Sequence, residues 1–223
     1  MWGNEPKCGP QNPYLDEVMG IIRDSGLVIL DGAMDLDFTV PPEHLPGTFE
    51  GITSVLAQVF TVPGIRHRYS FSIPTEEVLT WMVGLGPIIE VGAGKGYWAR
   101  MISDRGGDVI ATDVLDPSDS RWTDGGDPWH EIVIADHTIA EEHGDRVLFL
   151  CWPMYESEMA TEALLAHRRG GGRMVVYVGE GEGGCTASDS FFGLVGEMED
   201  ITPEGIDVLR WYGIHDHLWA WRL

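Results

Sequence analysis

From residue 87 onward, short apolar runs bounded by Gly, Pro, Asn or Asp recur along the chain: Pro87–Val91, Val109–Thr112, His130–Ala135, Val147–Cys151 and Arg173–Val178. Continuous apolar runs of this length fit strands covered on both faces, as in parallel sheets. Helical periodicity follows the first run as far as about Arg105, and returns at Glu156–His167 and Ala187–Met198. A strand–helix–strand order implies a right-handed crossover. The chain closes on two aromatic runs, Ile206–Tyr212 and Leu218–Leu223, joined by GIHDH.

The first part of the chain has a different pattern. Asn12-Pro13 supplies a helix cap and a first-turn proline, and Leu15, Val18, Met19 and Ile22 then recur on one face before Gly26. Leu27–Leu30 is expected as a short strand, Asp31–Gly47 as loop, and Phe49–Phe60 as a second amphipathic helix burying Ile52, Val55, Leu56 and Val59. Residues 1–63 are therefore expected to form a helical extension or lid, and residues 64–223 the main domain. The segment Gly64–Pro74 sets Arg66, His67 and Arg68 beside Tyr69 and Phe71, directly before a helix capped by Thr75 with Glu76 and Glu77 in its first turn.

The richest stretch is Pro87–Asp113, which reads as strand, glycine turn, helix and strand. Its glycines leave no Cβ in the way, so a ligand can approach the amides at the helix start. Spacing narrows the choice of ligand. The third glycine of a dinucleotide fingerprint would fall at Tyr97, and Gly94-Lys95 is followed by Gly96 where a phosphate-cradling loop needs Ser or Thr. What stands here is Glu90-x-Gly92-x-Gly94-x-Gly96, with Asp113 ending the next strand.

That pattern resembles the first two motifs of the class I, Rossmann-like methyltransferases that use S-adenosylmethionine (SAM). The longer string IPTEE…EVGAGKGYWAR…WP…VYVGE…GCTA is also similar to uncharacterised actinobacterial and phage-type sequences, which imply no substrate. The resemblance implies five βα units and a hairpin: an α/β fold with a seven-stranded, mostly parallel sheet, helices on both faces, a C-terminal antiparallel hairpin and an N-terminal helical extension. It implies that the turn at Gly92, Ala93, Gly94 and Gly96, led by Glu90, passes under the amino-acid part of SAM. Asp113 would grip the ribose hydroxyls, and Asp136 the adenine amino group. Asp136 also suits the cap of the short helix HTIAEEH. Tyr69, with Phe71, would cover the cofactor; core packing accounts for these rings equally well.

Trp152-Pro153-Met154-Tyr155 follows the fourth strand, where ligands bind in open α/β sheets. In amino-methylating nucleic-acid enzymes the family carries [Asn/Asp/Ser]-Pro-Pro-aromatic here. Trp152 departs from that motif, because indole donates and cannot accept the acceptor's amino hydrogen. An aromatic wall for some other flat or apolar acceptor is compatible with the tetrapeptide, and packing at the strand end accounts for these residues equally well. Where that acceptor needs a base, Glu180 after the fifth strand and His215 or Asp216 before the last are candidates, His215 first because imidazole titrates near neutrality. The acceptor pocket is expected between this tetrapeptide, Trp211–His217 and Tyr69–Phe71.

Composition changes the picture in one respect. The net charge is −22, with lysine only at Lys7 and Lys95. Such a surface repels phosphate backbones, so a nucleic-acid partner is disfavoured. Apolar content of 43% fits a globular chain, and no run approaches the roughly 18 apolar residues of a membrane span. The start MWGNEPKCGP lacks signal-peptide regions, and Cys8, Cys151 and Cys185 suit reduced thiols, so the expected location is cytoplasmic. No His, Cys or Asp cluster has metal-ligand spacing. The expectation is a SAM-dependent methyltransferase acting on O or N of a small molecule. Transfer to nucleic acid or protein, and a non-catalytic SAM-fold binding module, are the alternatives.

Overall fold

The computed structural model describes residues 10–24, 64–210 and 214–223. The expected helix Phe49–Phe60, the strand Leu27–Leu30 and Trp211–Gly213 lie outside the described residues.

Among the described residues, seven strands form a sheet. They are β1 (Ile88–Val91), β2 (Val109–Asp113), β3 (Ile132–Ile134), β4 (Val147–Cys151), β5 (Met174–Gly179), β6 (Glu199–Asp200) and β7 (His217–Arg222). Their order is β3-β2-β1-β4-β5-β7-β6. The first five run parallel, and β7 is antiparallel to both β5 and β6. The mostly parallel sheet with a closing antiparallel pair is the architecture expected from the sequence. Chain order reverses between β1 and β4, which opens a crevice beyond their carboxyl ends.

The helices are α1 (Pro13–Asp24), α2 (Ile65–Arg68), α3 (Glu76–Gly84), α4 (Tyr97–Asp104), α5 (Met159–Arg169) and α6 (Asp189–Val195), with a 3₁₀ helix at His137–His143. Strand residues alternate between two cores. Ile88, Phe149 and Val176 pack with α3 and α4 residues such as Leu79 and Trp98, whereas Ile89, Leu148 and Val175 pack with α5 and α6 residues such as Leu164 and Phe191. Burial on both faces explains why these strands lack a polar alternation.

Three details differ from expectation. β2 leads into the loop 114–131 without a helix, so the βα repeat is broken there. Of the strand expected at Ile206–Tyr212, the described residues 206–210 make one bridge, Leu209 to Ile73, and β6 lies earlier. Asp207 is the reason: its Oδ1 accepts the Val208 and Leu218 amides, both at 2.8 Å, and its Oδ2 meets His217 and Arg210 at 2.7 Å. The carboxylate thus replaces a strand ladder with a side-chain tie. Among the described side chains of α1, Tyr14 and Val18 are buried and Met19 is exposed.

Asn12 caps α1 as expected, accepting the Leu15 amide at 3.2 Å. It also fastens α1 to the sheet domain: Nδ2 donates to the Pro74 carbonyl at 2.8 Å, and Oδ1 accepts the Tyr97 hydroxyl at 2.7 Å.

Candidate functional site

The glycine turn is built at the end of β1. The Thr112 carbonyl accepts the Gly92 and Ala93 amides, both at 2.9 Å. Gly92, Gly94 and Gly96 have φ of 80°, 57° and 72°, the left-handed region where a side chain is strained. Their surroundings differ. A Cβ on Gly94 would meet nothing within 4 Å, whereas one on Gly96 would stand 2.8 Å from Ile132 Cδ1 and 3.0 Å from His130 Cβ. Gly94 keeps the cavity open; Gly96 lets the turn pack against β3. Asp113 Oδ2 accepts the Gly94 amide at 2.8 Å, and Oδ1 accepts the Leu115 amide at 3.0 Å.

A cavity of about 560 Å³ opens above this turn, beyond the ends of β1 to β4. Its two ends differ in chemistry. One carries Glu90, Gly92, Gly94, Asp113 and Asp136. Glu90 is 2% exposed, and its Oε2 has no hydrogen-bond partner. Burial pushes its carboxyl up to about 8. Asp136 Oδ1 accepts the Thr138 amide at 2.9 Å and the Thr138 hydroxyl, capping the 3₁₀ helix from the cavity rim. The helix cap and the cavity lining therefore share one side chain.

The other end is aromatic, with Phe71, Trp122, Trp152 and Tyr155. The Phe71 ring lies 5.2 Å from Trp152, 6.1 Å from Trp122 and 5.1 Å from the Arg66 guanidinium carbon. Trp152 has a φ of 50°, and its indole Nε1 donates to Asp216 Oδ2 at 2.7 Å. Tyr155 is half exposed at the mouth. Tyr69 also lines the cavity, stacked between Tyr14 at 4.8 Å and Trp129 at 5.1 Å. Its hydroxyl donates to Glu17 Oε2 at 2.9 Å.

Of the expected site residues, Glu90, Gly92, Ala93, Gly94, Asp113, Asp136, Tyr69, Trp152 and Tyr155 meet at this cavity. Gly96, His215 and Glu180 are not in its lining. Glu180 Oε1 accepts the His215 amide at 2.9 Å, and Oε2 accepts the Cys185 amide at 2.7 Å. Its carboxylate ties two loops together, while the His215 side chain is 65% exposed. The bases chosen from sequence thus form a loop brace behind the cavity wall.

No family model matches the chain, and no curated protein matches it. Among solved structures, the chain is similar to magnesium protoporphyrin IX methyltransferase from Synechocystis PCC 6803. The form with bound SAM has 11% identity and a TM-score of 0.46, over 66% of this chain and 76% of the other. The form with bound SAH has 10% identity and a TM-score of 0.46, over 66% and 80%.

Sequence reasoning missed three groups here. Lys95 lines the cavity almost fully buried, its Nζ 2.6 Å from Asp124 Oδ1, which pins the loop 114–131 over the glycine turn. Asp216, one of the candidate bases, is instead fully buried behind Trp152, where it accepts the indole N–H. His67 and Cys185 also line the cavity. The one advance signal was the position of His67 between Arg66 and Arg68 in an otherwise aromatic segment. Among the described residues no group of three or more His, Cys, Asp or Glu is placed to hold a metal ion, and no helix is long and apolar enough to cross a membrane.

Proposed function

We propose that this chain is a SAM-dependent methyltransferase for a small, flat acceptor. The observation that carries the reading is Glu90, a buried carboxyl whose Oε2 has no hydrogen-bond partner, beside the open Gly94 turn at the switch point of the sheet. A buried carboxyl oxygen left unpaired suits a ligand that brings positive charge. SAM carries an ammonium and a sulfonium, and when bound it supplies an electrophilic methyl group. Glu90 would face its charged end, Asp113 its ribose hydroxyls, and Asp136 its base. A diphosphate ligand would meet the Asp113 and Asp136 carboxylates and the buried Glu90 carboxyl at the same place.

The chain's other contributions are orientation and exclusion of water. The Lys95–Asp124 pair holds the loop 114–131 over the turn, and the Phe71–Trp152 wall closes the opposite side. An aromatic wall with few oxygen acceptors suits a flat, partly apolar acceptor better than a phosphate-bearing one. The arginines that could serve a nucleic acid do not gather. Arg66 and Arg68 lie in α2, while Arg168 and Arg169 end α5 on the other face of the sheet; Arg68 and Arg169 already pair with Glu17 and Glu141.

Thermal denaturation tests the reading. SAM and SAH should each raise the melting temperature, by about 2.7 kcal/mol of stabilisation at a hundredfold excess over Kd, while NAD and ATP should not. A shift with NAD alone would overturn it. Asp113→Ala should weaken SAM by about tenfold or more in calorimetry, since it removes the acceptors that also brace Gly94 and Leu115. The two glycines should separate. Gly96→Ala should lower the melting temperature by several degrees, through a clash costing about 1–3 kcal/mol. Gly94→Ala, with open space around its methyl, should lose about 1 kcal/mol of stability and most of its SAM affinity. Equal effects of the two on both readouts would remove the distinction.

A further inference from the structure

We propose that His67 is the polar anchor of the acceptor end, hydrogen-bonding the hydroxyl of a flat aromatic ligand. The inference rests on the proposed function for its assignment of the cavity's two ends. The His67 backbone is fastened on both sides: its amide donates to the Gly64 carbonyl at 3.0 Å, and its carbonyl accepts the Asp124 amide at 3.1 Å. The side chain is not fastened. The imidazole lines the cavity, is 4% exposed, and buries Nδ1 without a hydrogen-bond partner. A buried polar atom left unpaired costs about 1–3 kcal/mol, and such atoms are nearly always paired in folded proteins. In a cavity lining, the missing partner is a ligand.

Neighbouring polar groups are already engaged. The Trp152 indole donates to Asp216, and the Ser70 hydroxyl accepts Trp98 Nε1 at 3.1 Å. The Phe71 ring stands edge-on to the imidazole at 5.9 Å and continues to Trp152 and Trp122, so a ligand meeting His67 would lie against aromatic faces. Burial, and then the Arg66 charge, hold the imidazole below its usual range, with Asp124 opposing. The ring is therefore neutral at pH 7 and offers no charge to a carboxylate. A neutral imidazole pairs well with a neutral hydroxyl, donating or accepting as its tautomer allows.

Binding to the SAH-saturated protein tests this, with 1-naphthol, 1-methoxynaphthalene and 1-naphthoate as probes in calorimetry. The wild type should bind 1-naphthol at least tenfold tighter than the methyl ether, whose capped oxygen cannot donate, and tighter than the carboxylate. His67→Phe keeps a flat ring without nitrogens and should reduce the tenfold ratio to about one; His67→Leu, which also has no hydrogen-bonding group, serves should the first variant fold poorly. No binding of 1-naphthol at millimolar concentration, preference for 1-naphthoate, or an unchanged ratio in both variants would overturn the proposal. SAH stabilisation of each protein is read separately. Its absence in the wild type defeats the methyltransferase reading, whereas its presence with a flat probe ratio defeats only the role of His67.

Discussion

SAM should bind about tenfold more tightly at pH 8 than at pH 6, and Glu90→Gln should abolish that rise. The reason lies in the Glu90 carboxyl, which burial raises to about 8 in the ligand-free protein. Below that pH the group is mostly protonated and offers no charge. A cationic ligand favours the ionised form, so binding expels a proton and affinity grows as pH climbs toward 8. Titration calorimetry in two buffers of different ionisation enthalpy measures that proton directly. Folding stability without ligand has the opposite slope. A carboxyl raised in the folded state contributes stability that is complete below its unfolded value near 4.5 and is lost as pH rises through about 8. Glu90→Gln should therefore melt higher than the wild type at pH 8.5, by a margin of up to about 3–5 kcal/mol, and gain nothing at pH 4. A SAM affinity that rises equally in the variant would place the proton elsewhere.

How far the sequence foretold this site depends on what each residue type can do alone. The strands around Ile89, Leu148 and Val176 were legible because residues buried on both faces leave an unbroken apolar run. The turn was legible because Gly92 and Gly94 with a following acid form a spaced pattern. Glu180 and His215 were misread for a local reason: both lie close to strand ends, but the spacing cannot tell that the Glu180 carboxylate is already engaged by the His215 and Cys185 amides. Ile206–Tyr212 has strand composition, and over its described residues 206–210 the ties made by Asp207 override it. Lys95 pairs with Asp124, 29 residues on, across a loop without periodicity. His67 reads as part of a basic run until the fold turns its ring into the cavity.

Asp216 and Trp152 should prove to be one unit, with Asp216→Leu losing what Asp216→Asn keeps. A bulky residue at a φ of 50° carries strain of about 1–2 kcal/mol. Three contacts hold Trp152 there: its amide donates to the Val178 carbonyl at 2.8 Å, its indole donates to Asp216, and its ring meets Phe71. Leucine at 216 leaves the indole N–H buried and unpaired, at a cost of about 1–3 kcal/mol, while asparagine retains an acceptor oxygen. Asparagine also removes a titration. Burial raises the Asp216 carboxyl to about 7, so its contribution to stability is complete below about 4 and is lost as pH rises through 7. Asp216→Asn should therefore melt higher than the wild type at pH 9 and no higher at pH 4. The indole N–H resonance of Trp152, assigned by its loss in Trp152→Phe, should shift with a midpoint near pH 7 in the wild type and stay fixed in Asp216→Asn. SAH affinity should remain within a few fold in each variant, because this wall stands on the acceptor side. A wild-type indole resonance that does not titrate, together with an Asp216→Leu protein as stable as the wild type at pH 6, would show that the bond does not hold the wall.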